Sequence, residues 1–433
     1  MTAAESEQQS RSTRLPSEIW VLVSASFVIA LGYGIVAPAL PQFAVSFGVG
    51  AFAATVVIAS FAFMRLVFAP VSGSLVQRLG ERPTYLTGLL IVAASTGAVA
   101  FASNYWQLLI FRGLGGIGST MFTVSAFGLL IRIAPPHIRG RVSGLYATAF
   151  LFGNIGGPLV GAALVGFGLR VPFLIYAVAL LIAAAVVYFR LEGSSLAAPE
   201  KASDAVTMTF REAVRAPVYR AALLSNFANG WAVFGVRVAL VPLFVVQALH
   251  ARDGYAGIAL TVFAIGNALV QIQAGRLSDL HGRRPFVLAG LVISGLCTAG
   301  LGFSPNLWVL FALSAIAGIG SGLMNPAQQA AVADVVGSKA RGGPVLAAFQ
   351  MASDVGSVVG PLVAGVLAER LSYGSAFAVT GALTLPAIAA WLLAPRTVVA
   401  ASARGRSAGH PDTDEHAHQV RGADRDQTEQ QLP

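Results

Sequence analysis

Asp354 is the one carboxylate in this sequence that falls well inside a long apolar run, with Gln350 and Ser357 about a turn to either side. An acid in such surroundings holds or releases its proton according to the charge and water that reach it. Its chemistry is therefore proton carriage rather than bond making. Arg65, Arg112 and Arg237 also fall inside apolar runs, and Arg65 or Arg237 is the expected partner of the carboxylate. Three guanidiniums against one carboxylate leave the interior positive. That balance slightly favours anionic or neutral amphipathic solutes over cations.

Other chemistries lack their residues. All six histidines (His137, His250, His281, His410, His416, His418) lie in loops or in the tail, and the single cysteine is Cys297. No buried His/Cys/carboxylate cluster is left for catalysis or a metal, and no intrachain disulfide can form. The tail mixes His410, His416 and His418 with Asp412, Asp414 and Glu415, a combination read as solvated rather than metal-binding. Neither Lys201 nor Lys339 sits in a phosphate-binding Gly-x-x-x-x-Gly-Lys-Ser/Thr loop. Gly113-x-Gly115-x-x-Gly118 spells a dinucleotide fingerprint, but no strand precedes it. An enzyme is not expected, nor a cofactor or a nucleic-acid partner.

Positioning the intramembrane charges falls to long apolar segments. Of 433 residues, 56% are hydrophobic and 11% charged, with a mean hydropathy of +0.72. A soluble chain carries roughly a quarter charged residues, enough to cover a water-facing surface. Here the apolar runs must face lipid, where each closes its backbone hydrogen bonds internally as a helix. Runs of about 20 residues span the hydrocarbon layer. Six are read near 19–42, 51–76, 84–102, 106–131, 142–167 and 172–189, and six more near 221–247, 256–275, 285–303, 307–332, 344–368 and 375–394. The expected fold is thus an all-α membrane protein, twelve transmembrane helices in two pseudo-symmetric six-helix bundles. The first run is full length and preceded by Glu5, Glu7 and Glu18, so it is read as a retained span rather than a cleaved leader.

The expected organisation is a cytoplasmic amino-terminal tail (1–18), a first bundle (19–189), a polar linker (190–220), a second bundle (221–394) and a disordered cytoplasmic tail (395–433). Orientation follows the basic residues. Segments on the side of the termini hold 22 of the 28, the opposite loops hold Arg170, Arg252 and Arg370, and the remaining three lie inside spans. The positive-inside rule places both termini in the cytoplasm. The net charge of +9 then reflects topology and contact with anionic lipid heads rather than nucleic acid.

The two halves repeat at an offset near 202. The stretch Gly73 to Pro83 matches Gly275 to Pro285, Ile117-Gly118-Ser119 matches Ile319-Gly320-Ser321, Arg139-Gly140 matches Arg341-Gly342, and Gly157-Pro158 matches Gly360-Pro361. Four matches in one order imply duplication. Parallel six-span repeats are a transporter architecture with the site between the halves.

Two loops carry Gly-x-x-x-Asp-x-x-Gly-x-Arg. The second copy is intact at Gly275, Asp279, Gly282 and Arg284, whereas the first reads Gly73, Gln77, Gly80 and Arg82. Glycine permits the tight turn, and Asp with Arg supplies a charged latch. Span five carries Gly153-x-x-x-Gly157-Pro158-x-x-Gly161, a flat seam with a proline bend, and span eleven echoes it at Gly356, Gly360 and Pro361. Span four contains Arg112-x-x-x-Gly116-x-Gly118, and span one contains Gly34, Pro38 and Pro41.

On these motifs the chain resembles a major facilitator superfamily transporter over roughly residues 18–394, and within it the twelve-span drug:proton antiporters. The resemblance implies gating loops at the two Gly-rich copies, an antiporter-type helix at Gly153 to Gly161 and a functional basic residue at Arg112. It implies export of small amphipathic molecules, drug-like or metabolite, in exchange for protons. Gln77 departs from the family's acidic residue, so the first latch lacks its ion pair, and Gln77→Asp is expected to raise accessibility from the outer face. No acidic residue lies inside spans one to six, unlike many cation exporters of this type. The expected setting is a monomer in the plasma membrane, whose partners are lipid, protons and a small-molecule substrate. Proton-coupled import and a non-transporting sensor remain the alternatives.

Overall fold

The computed structural model describes residues 17–133, 139–190, 208–336 and 343–395. Most of the amino-terminal tail, most of the linker, the carboxy-terminal tail with its three histidines, and Arg341-Gly342 lie outside the described residues.

Among the described residues there are 12 helices long and apolar enough to cross a membrane. The first half comprises α1 (Ser17–Val45), α2 (Ala51–Leu79), α3 (Glu81–Ala100), α4 (Tyr105–Ile133), α5 (Arg139–Val165) and α6 (Val171–Arg190). The second comprises α7 (Pro217–Ala248), α8 (Gly254–His281), α9 (Arg283–Leu301), α10 (Leu307–Val336), α11 (Gly343–Arg370) and α12 (Tyr373–Leu393). Several run beyond their apolar stretch. α8 continues from the predicted 275 to His281, because a helix can extend past the hydrocarbon layer on polar residues such as Arg276 and Asp279.

Proline decides where α1 breaks. Helix Ser17–Val36 gives way to Ala39–Val45 across Pro38, which has no amide to continue the hydrogen-bond ladder. α7 is irregular in another way, with wide π-helical turns at Gly230–Arg237 and Phe244–Ala248. The turns entering α3 and α9 pivot on Gly80 and Gly282, at φ 86° and 90° with extended ψ. Those backbone angles belong to glycine, and the repeat preserves them in both halves.

Glycine seams hold each half together. A methyl group at Gly153 would sit 2.6 Å from the Phe27 carbonyl oxygen, and one at Gly157 or Gly161 would press on the carbonyls of Leu31 or Ile35, so α5 lies directly on α1. In the second half Gly356 and Gly360 of α11 do the same against Phe227 and Trp231 of α7. Without water between helices, this close backbone approach supplies the packing energy.

Contacts between the halves gather at the end bearing the α1–α2, α5–α6, α7–α8 and α11–α12 turns. There Gly365 of α11 abuts Thr55 and Phe52 of α2, and Gly257 of α8 abuts Pro158 and Ala162 of α5. The apolar core runs unbroken from Phe43 on α1 to Leu240 and Phe244 on α7. At the opposite end, which carries the linker, methyl groups at Gly73 or Gly144 would meet nothing within 4 Å.

Candidate functional site

Among the described residues, one ion pair ties the halves together at mid-depth. Arg65 Nη2 lies 3.7 Å from Asp354 Oδ1, with side chains 28% and 19% exposed. Arg65 is fourteen residues into α2, about 21 Å from its closed end, and Asp354 is sixteen residues from the same end of α11, about 24 Å. The glycine seam sets this direction. Gly356 and Gly360 bury one face of α11 against α7, so Asp354 on another face meets α2. Gln350 hydrogen-bonds the carboxylate. Ser357 binds the Asp354 main-chain carbonyl instead, at 2.8 Å.

The other two intramembrane arginines turn into their own halves, which corrects the expectation that they line the central cavity; of the two expected partners, Arg65 and not Arg237 meets Asp354. Arg112 stacks on Phe61 of α2, its guanidinium carbon 4.0 Å from the ring centre, in a small void also walled by Ser95, Thr96 and Phe173. Arg237 stacks on Phe263 of α8, again at 4.0 Å, with Nη2 3.5 Å from Thr298 Oγ1 of α9. Phe61 and Thr96 are the repeat equivalents of Phe263 and Thr298, yet Arg112 arrives from α4 and Arg237 from α7. Each half thus fills the same pocket with a guanidinium from a different helix. Ser314 and Ile35 occupy the two corresponding places. Both arginines are almost fully buried, at 8% and 3% exposure, and neither has a carboxylate within ion-pair distance among the described residues. The aromatic face supplies part of the missing stabilisation.

At the linker end the second gating loop is built differently from its sequence reading. Asp279 pairs with Arg283, not Arg284, and Arg283 Nε also reaches Asp334 of α10 at 3.2 Å. Arg284 instead donates to the Leu392 carbonyl at the end of α12, at 2.6 Å. Its repeat mate Arg82 donates to the Tyr188 carbonyl at the end of α6, also at 2.6 Å. A cation on the exposed carbonyls of a final turn also meets the negative end of the helix dipole. In the first loop Gln77 lies within α2 and its side chain is outside those described, while Glu81 stands where the second half has Arg283.

Two further features escape sequence reasoning. Glu369 Oε2, at the end of α11, accepts from the Phe52 amide at the start of α2, at 2.9 Å, so one half caps a helix of the other. Inside the second half, Asn226, Ser225, Gln328 and Trp391 form a buried hydrogen-bonded chain between α7, α10 and α12. No local signal marks either, because the partners are more than a hundred residues apart.

Twelve spans in two repeat-related bundles, joined at one end and apart at the other with ionisable side chains at mid-depth, define a membrane transporter. The chain matches the Major Facilitator Superfamily over residues 22–240 and 222–420 and belongs to that family; it is a transporter, not an enzyme. The human synaptic vesicular amine transporter is 26% identical over 321 residues, covering 73% of this chain; the match spans only 61% of that protein's own length. The multidrug resistance protein MdtG of Salmonella paratyphi C is 26% identical over 379 residues, covering 84% of this chain and 92% of that one. The quinolone resistance protein NorA of Staphylococcus aureus is 24% identical over 358 residues, covering 81% and 89%. Among solved structures, a bacterial homologue of the human lysosomal transporter Spinster, inward-facing and unoccupied, superimposes with a TM-score of 0.74 at 17% identity over 87% of this chain and 97% of that one. The human organic anion transporter MFSD10 (TETRAN) gives 0.63 at 18%, covering 87% and 100%.

Proposed function

We propose that this protein exports small amphipathic molecules across the plasma membrane in exchange for protons, by rocking its two halves about a midplane site. The carrying observation is the Arg65–Asp354 pair, which bridges α2 and α11 where the halves must separate. Its attraction exists only while Asp354 is ionised, and a proton on the carboxylate cancels it. By reciprocity, bringing the two helices together favours release of that proton. In this state the path for release leads to the linker end. The basic residues put that end in the cytoplasm, so the arrangement corresponds to an inward-open transporter that has delivered its proton. Likeness to an inward-facing solved structure supports the same assignment. When the outer ends part, Asp354 loses Arg65 and takes a proton from outside, which readies the return.

Export rather than import rests on the Gly153, Gly157, Pro158, Gly161 helix and on relatives named for multidrug and quinolone resistance. Gly73, Gly80 and Arg82 with Gly275, Asp279, Gly282 and Arg284 act as the cytoplasmic gating loops, and Gln350 holds the carboxylate in the cavity wall.

Proteoliposomes with an imposed proton gradient test the scheme. Asp354→Asn is expected to reduce uphill solute movement to the rate of empty liposomes while sparing solute counterflow. Full gradient-driven transport in that variant rejects the role of Asp354. Solute moving with the proton identifies an importer, and no solute movement under any gradient points to a sensor.

A further inference from the structure

A crevice of 210 Å3 lies between the halves at their closed end. It is roughly seven water volumes in size. The first half contributes Gln42, Val45 and Ser46 from the end of α1 and Leu169 from the α5–α6 turn; the second contributes Leu243, Val246 and Gln247 from the end of α7 and Asp253. Three features of this wall call for a ligand. Gln42 is only 8% exposed, and neither amide atom has a hydrogen-bond partner. Asp253 forms no ion pair among the described residues. The arginines next in sequence to wall residues are not part of the wall: Arg170 is turned to the Ala102 carbonyl and the Phe43 ring, and Arg252 is exposed. Ser46 directs its hydroxyl proton to the Phe43 carbonyl and Gln247 accepts from Tyr373, which leaves the Ser46 oxygen as an acceptor and the Gln247 amide as a donor.

We propose that this crevice binds a small amphipathic organic cation. An ammonium group pairs with Asp253 and the carbonyl of Gln42 meets a second donor, while Val45, Leu169, Leu243 and Val246 enclose an apolar body. Burial of the unpaired Gln42 amide is costly, and a donor-rich, positively charged group in the crevice satisfies it while pairing with the part-exposed Asp253 on the same wall. Because each half supplies part of the wall, the site is complete only while the outer ends are together. A ligand that binds one conformer selectively shifts the population towards it, so this cation holds the outer gate shut and slows transport from the side opposite the open cavity.

The test uses the purified full-length chain in detergent and three probes of one size: 2-phenylethylammonium, 2-phenylethanol and 3-phenylpropanoate. The thermal midpoint is expected to rise with the ammonium alone. Asp253→Asn should weaken that response at least tenfold in concentration, and so should Val246→Phe, which fills the crevice without removing a polar group. A response that survives both Asp253→Asn and Val246→Phe places the cation elsewhere and overturns the proposal. Equal responses to all three probes reduce the site to apolar contact, and no response to any leaves a crevice that holds water only; either overturns it. No transport is measured, so the result stands apart from the proton-coupling reading.

Discussion

The Arg65–Asp354 pair carries two duties, attraction between halves and a titratable charge, and mutation can separate them. Arg65→Ala leaves a carboxylate only 19% exposed without its partner, at a cost of about 1–2 kcal/mol after allowing for solvent screening. The double exchange Arg65→Asp with Asp354→Arg restores the opposite charges across the same gap. It is expected to recover the thermal midpoint lost in the single variants, while coupling efficiency, read as solute moved per proton, stays low because the carboxylate now sits on the other half. Glu369 acts on the same interface through a charged cap. Its removal in Glu369→Ala forfeits a cap worth about 0.5–2 kcal/mol. Labelling of a reporter cysteine at the outer end of α2 should therefore quicken several-fold; an unchanged rate would mean that the cap does not hold the gate.

At the scale of helices, the seams explain why glycine recurs every fourth residue. Gly157 lies against the Leu31 carbonyl and Gly34 on α1, so Gly157→Val pushes one backbone off another rather than filling a void. Overpacking of this kind costs about 1–3 kcal/mol. The expected result is a thermal midpoint lowered by several degrees and slower transport, with a smaller effect from Gly73→Val, where nothing lies within 4 Å. Equal losses at the two positions would argue that the seam is incidental. Arg82 and Arg284 follow a related logic, tying each gating turn to the last turn of its own bundle. Each half can then tilt as a unit, with its loop carried along.

For the molecule as a whole, alternating access requires the closed end to open. Thr55 and Gly365 touch across the halves there, so Thr55→Cys with Gly365→Cys, in a chain carrying Cys297→Ser, is expected to cross-link under mild oxidation. Transport in liposomes should stop on oxidation and return with reductant. Undiminished transport in the fully cross-linked protein would refute rocking at this interface. The two buried guanidiniums stack on Phe61 and Phe263 of their own bundles, so neither contact crosses the interface that must open.

The spans, the duplication, the turn glycines Gly80 and Gly282 and the place of Asp354 within a span are legible in the sequence because each is a local or periodic property. Hydropathy over about 20 residues needs no knowledge of neighbours, and a repeat shows itself by spacing. Partner choice is different. Arg65 and Arg237 had equal standing as letters, and only the rotation of each helix and the meeting of α2 with α11 selected Arg65 for Asp354 while turning Arg237, like Arg112, into its own half. The same reason turned Arg284 to the end of α12 and set Glu369 over α2. Such pairings depend on which faces two distant helices present to each other, and that is fixed by packing in three dimensions.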